Sequence, residues 1–264
     1  MSYDFKGNKL TADEFYLFPA QSVSSHTIIT ENPITTYKKE IEAFAKKSKF
    51  RKFYKKHSEY FDKVISDYNK FANLKQQWSW LEEKFSTRVN NYSIMCSPLI
   101  NGLNYTTSYT DNNFKQIMMV LPPLEESPEL SENEKIVFNT RIMFTEIDHN
   151  YVGKPTEENI GLINGVFGNR EKWVNASLTG TEYYPNAERV FNEYMTYGVF
   201  LLYCKDNFDV DALPNATQSV INLMTERGFV KMQEFTDILF NVSAQYPTKT
   251  VEEWYPEFIK QLGI

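Results

Sequence analysis

The chain has 264 residues and a formal net charge of -6, with 42% hydrophobic, 23% charged and 16% aromatic residues. That length buries a sizeable core without disulfide or metal staples, and no run approaches the roughly 18 apolar residues of a membrane helix. With 10 glycines and 3 histidines, the chain has no GxGxxG or GxxxxGK[ST] phosphate cradle and no GxSxG elbow, and imidazole chemistry is confined to His26, His57 and His149.

The N-terminal MSYDFKGNKLTADEF lacks a basic start followed by an apolar stretch, so it reads as no export signal. Removal of a leader would leave the same start, which keeps a secreted or periplasmic location open. Residues 1 to 32 mix Ser, Thr, Pro and aromatics without a period, and predict an irregular arm ending at Asn32-Pro33. From Thr36 to about Asn73 apolar residues recur at helical spacing, among them Ile41, Phe44, Ala45, Phe61, Val64, Ile65, Tyr68 and Phe71, with a break expected near Ser48 or His57. Between Lys38 and Lys56 nine Lys or Arg oppose two Glu, a local charge of +7 that leaves -13 for the remainder. The asymmetry raises a nucleic-acid reading. The plainer reading turns Phe44, Phe50, Phe53 and Tyr54 inward and makes the lysines a wetted helix face. No nucleic-acid partner is therefore expected. Leu74 to Phe85 continues as helix, with Trp78, Leu81 and Phe85 on its buried side.

The texture changes at Asn90. YSIMCSPLI and Phe114 to Leu121 (FKQIMMVL) read as two strands joined by a long polar connection, a surface turn or lid, with Pro122-Pro123 stopping the second strand. Ser131 and Glu134 form the sequence of a capping box, so a helix is expected from Ser131 to Tyr151, ending before Gly153. A short helix from Glu158 to Phe167 follows, then one opened by Pro185-Asn186 and running to Lys205. Three amphipathic helices complete the chain from about Asn215 to Ile264. Cys96 and Cys204 lack CxxC spacing and any neighbour that would lower a thiol pKa, so they read as half-buried thiols.

The residues that carry chemistry lie in FTEIDHNY, 144 to 151. At about 100° per residue, Thr145 and His149 share one helical stripe, Glu146 lies beside it and Arg141 extends it by one turn. Polar groups on so apolar a helix must be paired, hydrogen-bonded or bound to a metal. One reading is structural: Arg141 pairs with Glu146 or Glu193 and fixes how two helices dock. Asp148 faces either solvent or a neighbouring helix.

The other reading comes from a resemblance. TEIDH, 145 to 149, resembles the HExxH helix of zincin metallopeptidases with Thr145 in the place of the first histidine, and NEYMT, 192 to 196, is similar to the NExx[ST] signature of gluzincins. The match spans about residues 90 to 205, and the chain resembles a bacterial family of zincin-like proteins. The resemblance implies that His149 and Glu193 are ligands of a zinc ion and that Glu146 is the general base that activates water on it. Thr145 takes a ligand slot for which its hydroxyl is poorly suited. Glu146, His149 and Glu193 would then hold a metal together, or a further ligand would come from elsewhere, or the site would be degenerate.

The expected fold is α+β and helix-rich. A small antiparallel or mixed sheet packs on a zincin-type active-site helix, with a helical C-terminal part, in one zincin-like domain with subregions 1-89, 90-205 and 206-264. The resemblance implies a metal-dependent peptidase acting on a peptide or protein. The alternative is a catalytically inactive relative that binds such a partner in the same cleft. Under either reading Phe114 to Leu121 would border the cleft, and Tyr151, Tyr194 and Tyr197 are candidate oxyanion donors.

Overall fold

The computed structural model describes residues 3–14, 22–24, 27–100, 104–124, 128–209 and 212–264. Among the described residues no helix is long and apolar enough to cross a membrane. Contacts divide the chain into two units, Met1–Lys63 and Val64–Ile264.

The first unit corrects the expectation of an irregular arm. Strands β1 (Tyr3–Lys6) and β2 (Lys9–Ala12) form an antiparallel hairpin whose two-residue turn relies on Gly7 at φ 67°, a region other residues enter only with strain. Strands β3 (Ser22–Ser24) and β4 (Thr27–Ile29) form a second hairpin. His26 and residues 15–21 of the expected arm lie outside the described residues. Helices α1 (Pro33–Thr36), α2 (Lys38–Lys47) and α3 (Phe50–Lys56) follow, and α4 (Ser58–Phe71) spans the division between the units. The helical stretch breaks at both expected places: Lys49 takes a left-handed φ of 53°, and His57 leaves helical geometry. The inward orientation expected for the aromatics is not observed. Phe44, Phe50, Phe53 and Tyr54 are 41–64% exposed: α3 buries none of its residues and α2 buries only Ala45.

The second unit is α+β and helix-rich, as expected. Helix α5 (Leu74–Lys84) starts afresh after Asn73, whose side chain caps it by accepting from the Gln76 amide at 3.3 Å, and it buries Trp80 and Leu81, followed by Phe85. The sheet is three-stranded and mixed. Strand β7 (Phe114–Leu121) lies between β5 (Asn91–Cys96), parallel to it, and β6 (Tyr105–Asp111), antiparallel to it. The polar connection expected as a surface turn or lid is thus largely a strand. Its threonines and tyrosines are competent strand formers, and the tight β6–β7 turn runs through Asn112 and Asn113, both at positive φ. β7 buries Ile117, Met119 and Leu121, and the sheet packs through β6 and β7 on helix α6 (Glu132–Glu158).

The predicted capping box is present at the start of α6: the Ser131 hydroxyl accepts from the Glu134 amide, and the Glu134 carboxylate accepts from the Ser131 amide at 2.9 Å. The helix does not stop before Gly153. It continues through Gly153 and Pro155 to Glu158, although Pro155 removes one intrahelical donor and crowds a carbonyl one turn back. Burial carries it through: Val152, Pro155 and Thr156 are buried, and the Thr156 hydroxyl donates to Asn192 Oδ1 at 2.7 Å.

Helix α7 (Ile160–Phe167) leads to a polar stretch and then to α8 (Ala187–Asn207), capped by the Asn186 side chain. α8 is buried along most of its length and packs on α6, on α7 and on the C-terminal helices α9 (Ala212–Glu226), α10 (Met232–Gln245) and α11 (Val251–Leu262), the last through Phe191 against Tyr255. Its contact with α10 is close: a Cβ on Gly198 would lie 2.7 Å from Leu239 Cδ2 and 3.0 Å from Phe235 Cε1. Cys204 on α8 is fully buried and Cys96 partly so, and burial raises both thiol pKa values. Neither is primed as a nucleophile.

Loss of the α6 cap isolates one local contribution. Ser131→Ala removes an exposed cap without creating a cavity and is expected to lower unfolding free energy by about 1 kcal/mol. Urea unfolding checks it, with the midpoint falling and the denaturant slope unchanged.

Candidate functional site

The i, i+4 repeat of α6 brings Thr145, His149, Gly153 and Glu157 onto one side, with Glu146 beside them, and all five line a polar cleft of about 850 Å³. The opposite wall comes from α8, which contributes Asn192, Glu193 and Tyr197, with Arg189 a turn nearer its start. Tyr183 and Tyr184 arrive from the polar stretch before α8, and Arg227 from the end of α9. The rim is formed by Asn104, Tyr105 and Thr106 at the start of β6. The cleft edge is therefore β6, and the expectation for Phe114 to Leu121 is corrected, since β7 is held between two partners.

The helices that carry TEIDH and NEYMT pack against one another. The Thr196 hydroxyl lies 3.2 Å from His149 Nδ1 and Asn192 accepts from Thr156, so two residues of NEYMT tie α8 to α6. The third, Glu193, is engaged differently. Its Oε1 accepts a hydrogen bond from Arg227 Nη2 at 2.7 Å, and its side chain is only 8% exposed. Arg227 also donates to the hydroxyls of Tyr184 at 2.9 Å and Tyr197 at 2.8 Å, and its guanidinium lies 5.3 Å from the Tyr197 ring centre. The ion partner that fixes Glu193 is thus Arg227, a residue with no recognisable motif around it.

Arg227 reaches the cleft because of the turn that follows it. Gly228 adopts φ 95°, and the backbone pairs with the polar stretch through Asn175 N to Gly228 O at 2.8 Å and Val230 N to Trp173 O at 3.1 Å. Tyr194 secures the same turn: its hydroxyl donates to Trp173 O at 2.6 Å and accepts from Lys231 N at 3.0 Å. Tyr194 is thus a structural tie rather than an oxyanion donor. Tyr151 also lies away from the cleft, buried with its hydroxyl 2.9 Å from that of Tyr92. Of the three candidate tyrosines, Tyr197 alone lines the cleft.

Burial governs the protonation of the acidic groups. The Glu146 carboxyl is pushed up to about 7 by burial and by the charge of Glu193, against the opposing pull of Arg227. Asp148 is fully buried, and neither of its oxygens has a hydrogen-bond partner among the described residues. Burial and the charges of Glu193 and Glu146 hold it well above the carboxylate range, with the nearby His149 backbone N–H acting against them. Asp148 is accordingly held toward its neutral, protonated form. Burial lowers the His149 pKa although the charge of Glu193 raises it, which favours the neutral imidazole.

These residues do not fit a zinc ion as they stand. Among the described residues, no three His, Cys, Asp or Glu side chains are placed to hold a metal. The Thr145 hydroxyl donates back to Arg141 O at 3.0 Å, and the Glu193 carboxylate is occupied by a guanidinium. A catalytic zinc site takes three protein ligands, and of the candidate carboxylates and imidazole only Glu146 and His149 make no ion pair among the described residues.

Compared with known proteins, the chain matches the model of a domain of unknown function, DUF4932, over residues 17–261. No curated protein matches it, and no solved structure does.

The Glu146 shift predicts a pH signature. Unfolded Glu146 loses its proton near 4.5 and the folded residue near 7, so between these values the native state holds the extra proton. The contribution of Glu146 to stability thus falls as pH rises through this window and is level above it. Glu146→Gln removes that slope, and relative to wild type it should gain about 3 kcal/mol between pH 4 and pH 8. Denaturant titrations of both proteins across that range measure the difference, and parallel curves would contradict the assignment.

Proposed function

From the premise that the chain belongs to the DUF4932 family, a domain of unknown function matched over 17–261, we propose that it is a catalytically inactive, zincin-like protein that binds a peptide or protein in the cleft between α6 and α8. The observation that carries this reading is the Arg227–Glu193 pair at 2.7 Å. A permanent cation occupies the carboxylate that a third metal ligand would need free, and a dication added there would meet repulsion from the guanidinium. With Thr145 in a ligand slot, the metal-binding half of the signature is lost while the cleft persists.

What remains suits an extended chain. β6 is an edge strand of its sheet and its first residues form the cleft rim, so an incoming strand can pair with its free side and lay side chains between α6 and α8. Tyr105, Tyr183 and Tyr184 offer aromatic surface with polar tips, the kind of residue enriched at interface centres. A second reading, the metal-dependent peptidase, is favoured by one observation: Glu146 titrates near neutrality inside the cleft, where a general base is most effective.

One experiment separates the two. Protein purified without chelator or immobilised nickel is assayed for bound metal by elemental mass spectrometry, beside His149→Ala, and both are incubated with a peptide library read by mass spectrometry. The binding reading expects far less than one equivalent of zinc, peptides retained uncleaved and retention unchanged by chelator. About one equivalent of zinc, lost in His149→Ala, with cleavage abolished by Glu146→Gln, would establish the peptidase instead.

A further inference from the structure

None of the seven residues of α3 is buried, an unusual state for so short a helix, since isolated helices of this length are marginal in water. Its residues are nonetheless sorted. At about 100° per residue, Phe50, Phe53 and Tyr54 fall within one arc of roughly 100°, and Arg51, Lys52, Lys55 and Lys56 occupy the rest. Phe44 on α2 adds a ring that is 64% exposed. Arg51 is engaged, donating to the carbonyls of Phe5 and Gly7. Lys46, Lys47, Lys49, Lys52, Lys55 and Lys56 make no ion pair among the described residues. An apolar aromatic face and an unbalanced cationic face thus lie on the same short helix.

We propose that this face docks on the surface of an anionic lipid bilayer. The pattern is that of an interfacial helix, with rings entering the headgroup boundary and flanking lysines attracted to lipid phosphate and carboxylate. The charge identifies the partner as anionic, and it disfavours a second copy of the chain, which would set one segment of +7 against another. Phe44, Phe50 and Phe53 carry no polar tip and are 41–64% exposed, so the face offers apolar area rather than groups that pair with a base edge. A bilayer needs only apolar area, which such a cluster presents.

The test is co-sedimentation of the full chain with vesicles of phosphatidylcholine, with and without phosphatidylserine, over a salt series. Wild type is compared with Phe50→Ser/Phe53→Ser and with Lys52→Gln/Lys55→Gln/Lys56→Gln. Because α3 contributes nothing to a core, circular dichroism and the unfolding midpoint should be unchanged in both variants. Binding is expected on serine-containing vesicles alone, weakening with salt and falling by about tenfold or more in each variant. Equal binding to both vesicle types, no binding, or variants that bind as wild type would overturn the proposal. Capture of a single-stranded oligonucleotide in place of vesicles, or a dimer dissolved by the Phe variant, would assign the face to another partner and overturn it as well.

Discussion

One guanidinium balances an otherwise uncompensated set of acids. α6 and α8 bury Glu146, Asp148 and Glu193 within mutual electrostatic reach, an arrangement that opposes folding unless charge is removed or neutralised. Burial and mutual repulsion raise the pKa of Glu146 and of Asp148, and Glu193 is met by Arg227. Geometry decides which acid meets the cation: Glu193 lies beside Arg227, whereas Asp148 is fully buried with neither oxygen hydrogen-bonded among the described residues. Removing the arginine would leave a buried carboxylate unpaired, a change that typically costs about 3–5 kcal/mol.

The large elements were legible in the sequence because their signals are local. The Ser131–Glu134 box, the Asn186 cap and the apolar periodicity of the last three helices each lie within a few residues of what they specify. The end of α6 was not legible, since Gly153 and Pro155 carry local stop signals that tertiary burial of Val152 and Thr156 overrides. β6 was missed for a related reason. YTTSYTD has weak alternation and many turn-formers nearby, and its strand character depends on the partner β7. The inward orientation assigned to Phe44, Phe50, Phe53 and Tyr54 failed because helical spacing tells which residues share a face but not whether anything covers it.

The site divides along the same line. Glu146, His149 and Glu193 lie in one cleft, and their two motifs, forty-odd residues apart, meet through Thr196 and Asn192. Arg227 and Tyr184 had no sequence signal, because an isolated arginine before a glycine resembles any helix end. A hint existed in retrospect: Arg227-Gly228 is a helix exit whose glycine takes a positive φ, a place where the preceding side chain is aimed by a fixed turn. The sequence alone does not say where it is aimed.

The glycine at 198 sets how near α10 can approach α8, and α10 is entered from the turn that carries Arg227. A methyl at that position would meet the ends of the Leu239 and Phe235 side chains at 2.7 and 3.0 Å, so those side chains would have to turn aside. The helix that carries Glu193 and the helix that follows Arg227 therefore meet at a position with no side chain of its own, where bulk, not charge, is what the packing excludes.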